Sequence, residues 1–198
     1  MTCPRHAAKV AAVLLGLVLT SAARAEGGTI TGKVEATPAK YLVDTVVYLK
    51  SVPGAYPARS VDMDQRKMSF IPRILTITQG DTVKFLNHDE VAHNVFSPDG
   101  EAYNLGTFKH DENASHVFQK AGTYTQLCSI HPEMLGYIFV GQNPYAAAVD
   151  ATGHFTLRDV PPGTWQLAVW NAQKLKTPER SVTVTAGKSS QENLTIKR

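Results

Sequence analysis

Cysteine is nearly absent from this chain of 198 residues, which has only Cys3 and Cys128. The Cys-x-x-Cys-His motif of covalent haem attachment is missing. So is any nucleophile placed beside a base, and so is any amphipathic pattern long enough for a helix of several turns. The longest apolar run, Val10–Leu19, falls short of the roughly 18 residues that a membrane-crossing helix requires. These absences exclude a c-type haem protein, a helix bundle and a helical membrane protein.

That apolar run follows Arg5, His6 and Lys9 and precedes Ala23-Arg24-Ala25, a small-x-small cleavage pattern, so residues 1–25 are expected to be a secretory signal peptide. Its removal takes Arg5, Lys9 and Arg24 from the 20 basic residues and nothing from the 17 acidic ones. The formal charge of +3 is therefore a property of the leader, and no basic surface remains to suggest a nucleic-acid partner. Cys3 leaves as well; it precedes the apolar run and is not placed as a lipoprotein cysteine. Cys128 is then the sole thiol of an exported chain, where no internal disulfide can form. An odd thiol in an oxidising compartment points to intermolecular pairing or to a thiol kept for its chemistry, and a bound metal would protect it.

The remainder, with 43% hydrophobic residues overall, suits one large or two small packed domains. Gly28–Val34 and Leu42–Leu49 are expected strands, and Pro53-Gly54 and Pro57 make Ser51–Ala58 a loop. Asp64–Pro72 reads as one edge strand stopped by proline. Ile74–Ile77 and Thr82–Leu86 alternate on either side of Gly80-Asp81, as in a hairpin. Asn87–Ser97 carries a polar loop into a strand at His93, whereas Pro98–Ser115 is polar and reads as loop. His116–Phe118, Thr123–Leu127 and Leu135–Val140 are the next strands, followed by Tyr145–Val149, His154–Leu157, Thr164–Trp170, Ser181–Thr185 and Asn193–Ile196. Short strands separated by Gly and Pro turns indicate an all-β protein of sandwich or barrel type.

One cluster of residue types carries chemistry. Cys128-Ser129-Ile130-His131-Pro132-Glu133-Met134 supplies a thiolate, an imidazole and a thioether from one tight turn between two strands, and His93, thirty-five residues before the cysteine, can add a second imidazole from a neighbouring strand end. Soft thiolate and thioether favour Cu(I) while imidazole serves both oxidation states, so the set suits a mononuclear blue-copper centre. Zinc also accepts a Cys-His-His set with an open position, but methionine is not a usual zinc ligand. His88, His110, His116 and His154 lack any such context and are expected at the surface.

Phe70-Ile71-Pro72, Gly80-Asp81-Thr82-Val83, Asn87-His88-Asp89, His93-Asn94-Val95-Phe96-Ser97, Ala121-Gly122-Thr123-Tyr124 and Cys128–Met134 together resemble a cupredoxin of the plastocyanin, pseudoazurin and amicyanin kind. The short Cys-x2-His-x2-Met loop is most similar to that of amicyanins, and the resemblance covers about residues 62–141. It implies a Greek-key β-sandwich with one type 1 copper held by His93, Cys128 and His131 in the equatorial plane and Met134 axially. It also implies that Asn94 ties the two ligand loops together and shapes the hydrogen bonds around the thiolate.

Residues 28–52 and 144–198 resemble the carboxypeptidase regulatory-like, transthyretin-like sandwich modules. The carrying motifs are Gly32-Lys33-Val34, Val46-Val47-Tyr48-Leu49, Asp150-Ala151-Thr152-Gly153-His154-Phe155-Thr156-Leu157, Pro161-Pro162-Gly163-Thr164-Trp165 and Ser181-Val182-Thr183-Val184. In those modules the first two strands directly precede the Asp-x-x-Gly-x-Phe strand, so the cupredoxin is expected to be inserted into a second, smaller sandwich. The other arrangement is an extended N-terminal arm, then a cupredoxin, then a C-terminal sandwich. The whole is similar to exported proteins labelled methylamine utilization proteins. The resemblance implies a periplasmic or secreted one-electron carrier, not an enzyme, whose partner is a redox protein such as a c-type cytochrome or a dehydrogenase, and which keeps no membrane span after signal cleavage. A copper-binding or copper-delivery protein without redox turnover is the alternative. The absence of His-x-His pairs and of a second metal set argues against a multicopper oxidase or nitrite reductase.

Overall fold

The computed structural model describes residues 26–198; the expected signal peptide, residues 1–25, lies outside them. The described chain is almost entirely strand. β1 (Gly28–Thr37) and β2 (Thr45–Leu49) flank a short 3-10 turn at Ala39–Leu42. After a loop come β3 (Ser60–Gln65), β4 (Phe70–Ile71), β5 (Ile74–Thr78), β6 (Thr82–Asn87) and β7 (His93–Ser97). Next are β8 (Tyr103–Phe108), β9 (Asn113–Val117), β10 (Gly122–Leu127) and β11 (Leu135–Gly141). The last five are β12 (Ala146–Ala148), β13 (His154–Val160), β14 (Gly163–Asn171), β15 (Glu179–Val184) and β16 (Ser189–Lys197).

These strands form four sheets. A five-stranded sheet in the order β5-β11-β10-β7-β8 faces a four-stranded one in the order β4-β3-β6-β9, and β13-β1-β16 faces β12-β2-β14-β15. Each pair encloses its own core. The first is built on Met63, Phe70, Val83, Phe85, Val95, Phe118, Tyr124 and Ile138, and its cluster includes Cys128 and Met134. The second is built on Ile30, Val34, Val47, Leu49, Leu157, Leu167, Leu194 and Ile196. The period-two pattern of strands such as β6, where Val83, Phe85 and Asn87 are buried between half-buried neighbours, fixes which face turns inward.

The N-terminal strands lie inside the second pair of sheets. β1 is the middle strand, parallel to β16 from Thr29↔Ser189 to Thr37↔Lys197 and antiparallel to β13. β2 lies between β12 and β14. Gly32 is required there, because a Cβ would collide with the Glu192 carbonyl. The outer face of β11 meets this unit along an aromatic seam. Tyr48 and Phe139 stand with ring centroids 4.7 Å apart, and Trp170 packs edge-on to Tyr137 at 5.5 Å.

Three local expectations differ from the structure. The run Asp64–Pro72 is two antiparallel strands, with Gln65 opposite Phe70, joined by a two-residue turn in which Lys67 and Met68 have φ of 53° and 54°. Two positive φ values define a type I′ hairpin, and Lys-Met is a poor sequence for it, so nothing local announces the turn. The Asp89 carboxylate supplies the missing stabilisation by accepting the backbone N–H groups of both residues. β5 and β6 do not form a hairpin: β5 pairs in parallel with β11 and β6 in parallel with β3, so the turn at Gly80-Asp81 carries the chain from one sheet to the other. Asp81, fully buried, holds that crossing by accepting the N–H groups of Thr78 and Arg59. Finally, Pro98–Ser115 contains the start of β9 and all of β8, an edge strand whose apolar Tyr103, Leu105 and Phe108 break the period of two and are separated by Asn104, Gly106 and Thr107.

Candidate metal centre

Antiparallel pairing brings the cluster together. β7 and β10 are neighbours, with Phe96 opposite Leu127, so the start of β7 and the end of β10 lie at the same edge of the sandwich. His93 opens β7, Cys128 follows β10, and the loop to β11 contains His131 and Met134. The loop folds tightly, with the Met134 N–H donating to the His131 carbonyl at 3.0 Å.

The donor atoms of His93, Cys128 and His131 all lie within 4.8 Å of one another, and among the described residues this is the one such group of three. His93 Nδ1 is 3.0 Å from His131 Nδ1, and Cys128 Sγ is 3.8 Å from the same nitrogen. Metal–nitrogen bonds of about 2.0 Å and metal–sulfur bonds of about 2.3 Å span separations of this size. His93 is fully buried, Cys128 and Met134 are nearly so, and His131 is half-buried. Met134 belongs to the same buried cluster as Cys128. A thiolate, two imidazoles and a neighbouring thioether, kept from water on all but the His131 side, fit copper by ligand softness.

Asp89 is the residue that sequence reasoning missed. Its Oδ2 lies 2.8 Å from His93 Nε2. An ionised carboxylate only accepts, so His93 carries its proton on Nε2 and aims the Nδ1 lone pair at the other two donors. Burial pushes the Asp89 carboxyl up, but the Met68 N–H, the His93 imidazole and the Lys67 N–H outweigh it and hold the group below the ordinary carboxylate range. The signal available was its place four residues before His93, within the turn at the end of β6.

Asn94 occupies the other side of the cluster. Its backbone N–H points at Cys128 Sγ at 3.4 Å, and its Oδ1 accepts the Ser129 N–H at 3.3 Å. Its Nδ2 donates to Asn104 Oδ1 and to the Gly106 carbonyl, at 2.9 and 2.8 Å. One side chain thus links β7, β8 and the cysteine loop.

Around His131, Ile130 and Pro132 are exposed and Leu135 is half-buried. The remaining histidines lie outside the cluster. His110 and His154 are exposed, as expected. His88 is exposed too, and it has a partner that the sequence did not suggest, Asp64 Oδ1 at 2.8 Å from its Nδ1. His116 departs further from a plain surface residue. It stacks on Tyr103 with centroids 4.0 Å apart, its Nε2 is buried without a hydrogen bond, and burial pushes its pKa down.

With this geometry, comparison with known proteins is specific. Residues 140–192 match the family model described as polysaccharide lyase family 4, domain II, a description different from the carboxypeptidase regulatory-like one expected for these strands. Residues 57–141 match the model of the copper binding proteins of the plastocyanin/azurin family. The chain is 32% identical over 101 residues to an amicyanin of Paracoccus versutus, which covers 48% of this chain and 76% of that protein. It is 35% identical over 85 residues to an amicyanin of Paracoccus denitrificans, covering 41% of this chain and 65% of the relative. A solved structure of a reduced amicyanin variant matches at 32% identity over 41% of this chain and 81% of its own, with a TM-score of 0.39. Through its central unit, the chain belongs to the plastocyanin/azurin family of copper-binding proteins.

Proposed function

We propose that this protein is an exported, periplasmic one-electron carrier with a single type 1 copper held by His93, Cys128, His131 and Met134, and that it has no catalytic activity of its own. The observation that carries this role is the convergence of a lone buried thiol and two imidazole nitrogens within 4.8 Å. Bound copper would supply the Cu(II)/Cu(I) couple. The chain's own residues hold the set rigid. Asp89 fixes the tautomer of His93, the Asn94 N–H restrains the thiolate, and Met134 closes the buried side. A site that changes little between oxidation states exchanges electrons with little reorganisation.

Half-exposed His131 is then the port. Exposed Ile130 and Pro132 beside it offer an apolar rim suited to brief, close contact with a redox partner such as a c-type cytochrome or a dehydrogenase. The outer strands, residues 28–52 with 144–198, are read as one carboxypeptidase regulatory-like sandwich into which the cupredoxin of residues 62–141 is inserted. This is supported by the middle positions of β1 and β2 in its two sheets.

Copper loading followed by optical and electron-paramagnetic spectroscopy of the wild type and Cys128→Ser tests the function. The wild type is expected to show an intense visible thiolate-to-Cu(II) band that the variant lacks, and to cycle reversibly at an electrode. Identical spectra would remove the thiolate from the site. Tight Cu(I) binding with no such band in the wild type would replace the carrier by a copper-delivery protein.

A further inference from the structure

A buried carboxylate of the outer sandwich reaches the ligand loop through one arginine. Asp44, just before β2, is 6% exposed and has φ of 59°. Its carbonyl accepts the Ala172 N–H, and Asn171 Nδ2 donates to the carbonyls of Tyr41 and Val43 and to Thr45 Oγ1, so the segment around it is tied to the end of β14. Arg73 Nε and Nη2 donate to the two Asp44 oxygens at 2.7 and 2.9 Å, a fork that only a guanidinium can make. The same guanidinium donates from Nη1 to the Leu135 carbonyl at 3.1 Å.

The place of that last bond is specific. The β5–β11 ladder begins with Ile74 opposite Tyr137, so β11 runs two residues, Leu135 and Gly136, past its start. The side chain of Arg73 takes over there, while its own carbonyl accepts the Tyr137 N–H at 2.8 Å. Leu135 directly follows Met134. Beside the fork, a cleft of about 410 Å³ opens between the two units, walled by Leu42, Val43, Pro72, Ile74 and Val149, and the aromatic contacts of the seam, Tyr137 on Trp170 and Phe139 on Tyr48, begin two residues past Leu135. A longer hydrogen bond, Thr76 Oγ1 to the Ala146 carbonyl at 3.4 Å, lies farther along the seam and away from the loop.

We propose that Asp44 and Arg73 form a positioning pair for the axial ligand: by anchoring the Leu135 carbonyl to the outer sandwich they set the approach of the Met134 thioether to copper, and thereby the reduction potential. This rests on the type 1 copper reading above. Softness ranks the thioether against harder donors; against a vacated position its lone pair would still stabilise the more highly charged Cu(II), so a slack Leu135 would favour the reduced state.

The test uses full-length Arg73→Lys, which keeps the charge but cannot make both contacts, and Asp44→Asn, which keeps the shape but loses the ion pair. Lys50→Gln, which breaks a surface ion pair with Glu179 inside the outer sandwich, is the control. Each is copper-loaded and measured by voltammetry, visible and electron-paramagnetic spectroscopy, and thermal melting. Both seam variants are expected to raise the potential by a threefold to tenfold change in the Cu(II)/Cu(I) ratio at fixed ambient potential, where tenfold is 59 mV for one electron. Their spectra should move with it, and the control should keep the wild-type potential. If the variants melt earlier but keep the wild-type potential and spectrum, the pair only staples two units together and the proposal is overturned; the same holds if the control shifts equally. A wild type with no thiolate band, by contrast, overturns the type 1 copper reading on which the proposal rests.

Discussion

Replacing Asp89 by asparagine isolates the charge that stands behind His93. The 2.8 Å bond from Oδ2 to Nε2, the width of an imidazole and a metal–nitrogen bond of about 2.0 Å place the carboxylate roughly 7 Å from a bound ion. At an effective dielectric near 20, a unit charge at about that distance favours the ion's extra positive charge by about 2 kcal/mol. Only 14% of the Asp89 side chain is exposed, so water screens it little. Removing the charge should therefore shift the oxidised-to-reduced ratio by one to two decades, and the potential should rise on the order of 100 mV at 59 mV per decade. Voltammetry of the copper-loaded Asp89→Asn protein reads this directly. A potential that stays put or falls would refute the electrostatic role. The same substitution removes a charge-assisted acceptor from the Lys67–Met68 turn, which lowers the stability of the metal-free protein by about 1–3 kcal/mol at neutral pH. Because the folded state holds the Asp89 carboxyl below its ordinary value, its contribution is complete above the unfolded pKa of about 4 and is lost as pH falls through the depressed one. Denaturant melts of the two proteins should therefore converge in acid.

One further substitution and one truncation address the rest of the chain. Burial lowers the pKa of His116 in the fold below its unfolded value of about 6.5, so wild-type stability should fall as pH drops through that value, and His116→Phe should flatten that slope in urea melts at pH 7 and 5; equal slopes would contradict the buried, unpartnered Nε2. Trimming residues 26–52 removes a middle strand from both sheets of the outer sandwich, and hydrogen exchange should then show residues 146–197 unprotected; retained protection there would favour an independent C-terminal unit.

The strand pattern is legible where one face is apolar and the other is not, as in β6, and where a short apolar run is covered on both faces, as in β11. It fails where the deciding partner is distant. Lys67 and Met68 hold a turn that their own side chains disfavour because a carboxylate twenty-two residues later binds their N–H groups. β5 and β6 alternate as hairpin strands do, yet each finds a parallel partner in a different sheet, and alternation carries no information on which sheet a strand joins. β8 is an edge strand, exposed enough to set Asn104, Gly106 and Thr107 among its apolar residues.

Sequence alone determined the donor types and their order: a Cys-x2-His-x2-Met turn and an earlier histidine are readable because copper selects by softness, a property of side chains rather than of the fold. It also determined that Cys128 is the one thiol outside the expected leader, which holds Cys3. The tertiary structure decided what surrounds those donors. Asp89 reaches His93 only because the β6–β7 turn folds back on it, and Arg73 reaches Leu135 only because β5 runs beside β11. Asp44 meets Arg73 only across the seam between two sandwiches. Carboxylates and guanidinium groups are common along any chain, and none of these three is marked by its neighbours; their positions depend on which strands pair, a consequence of long-range packing.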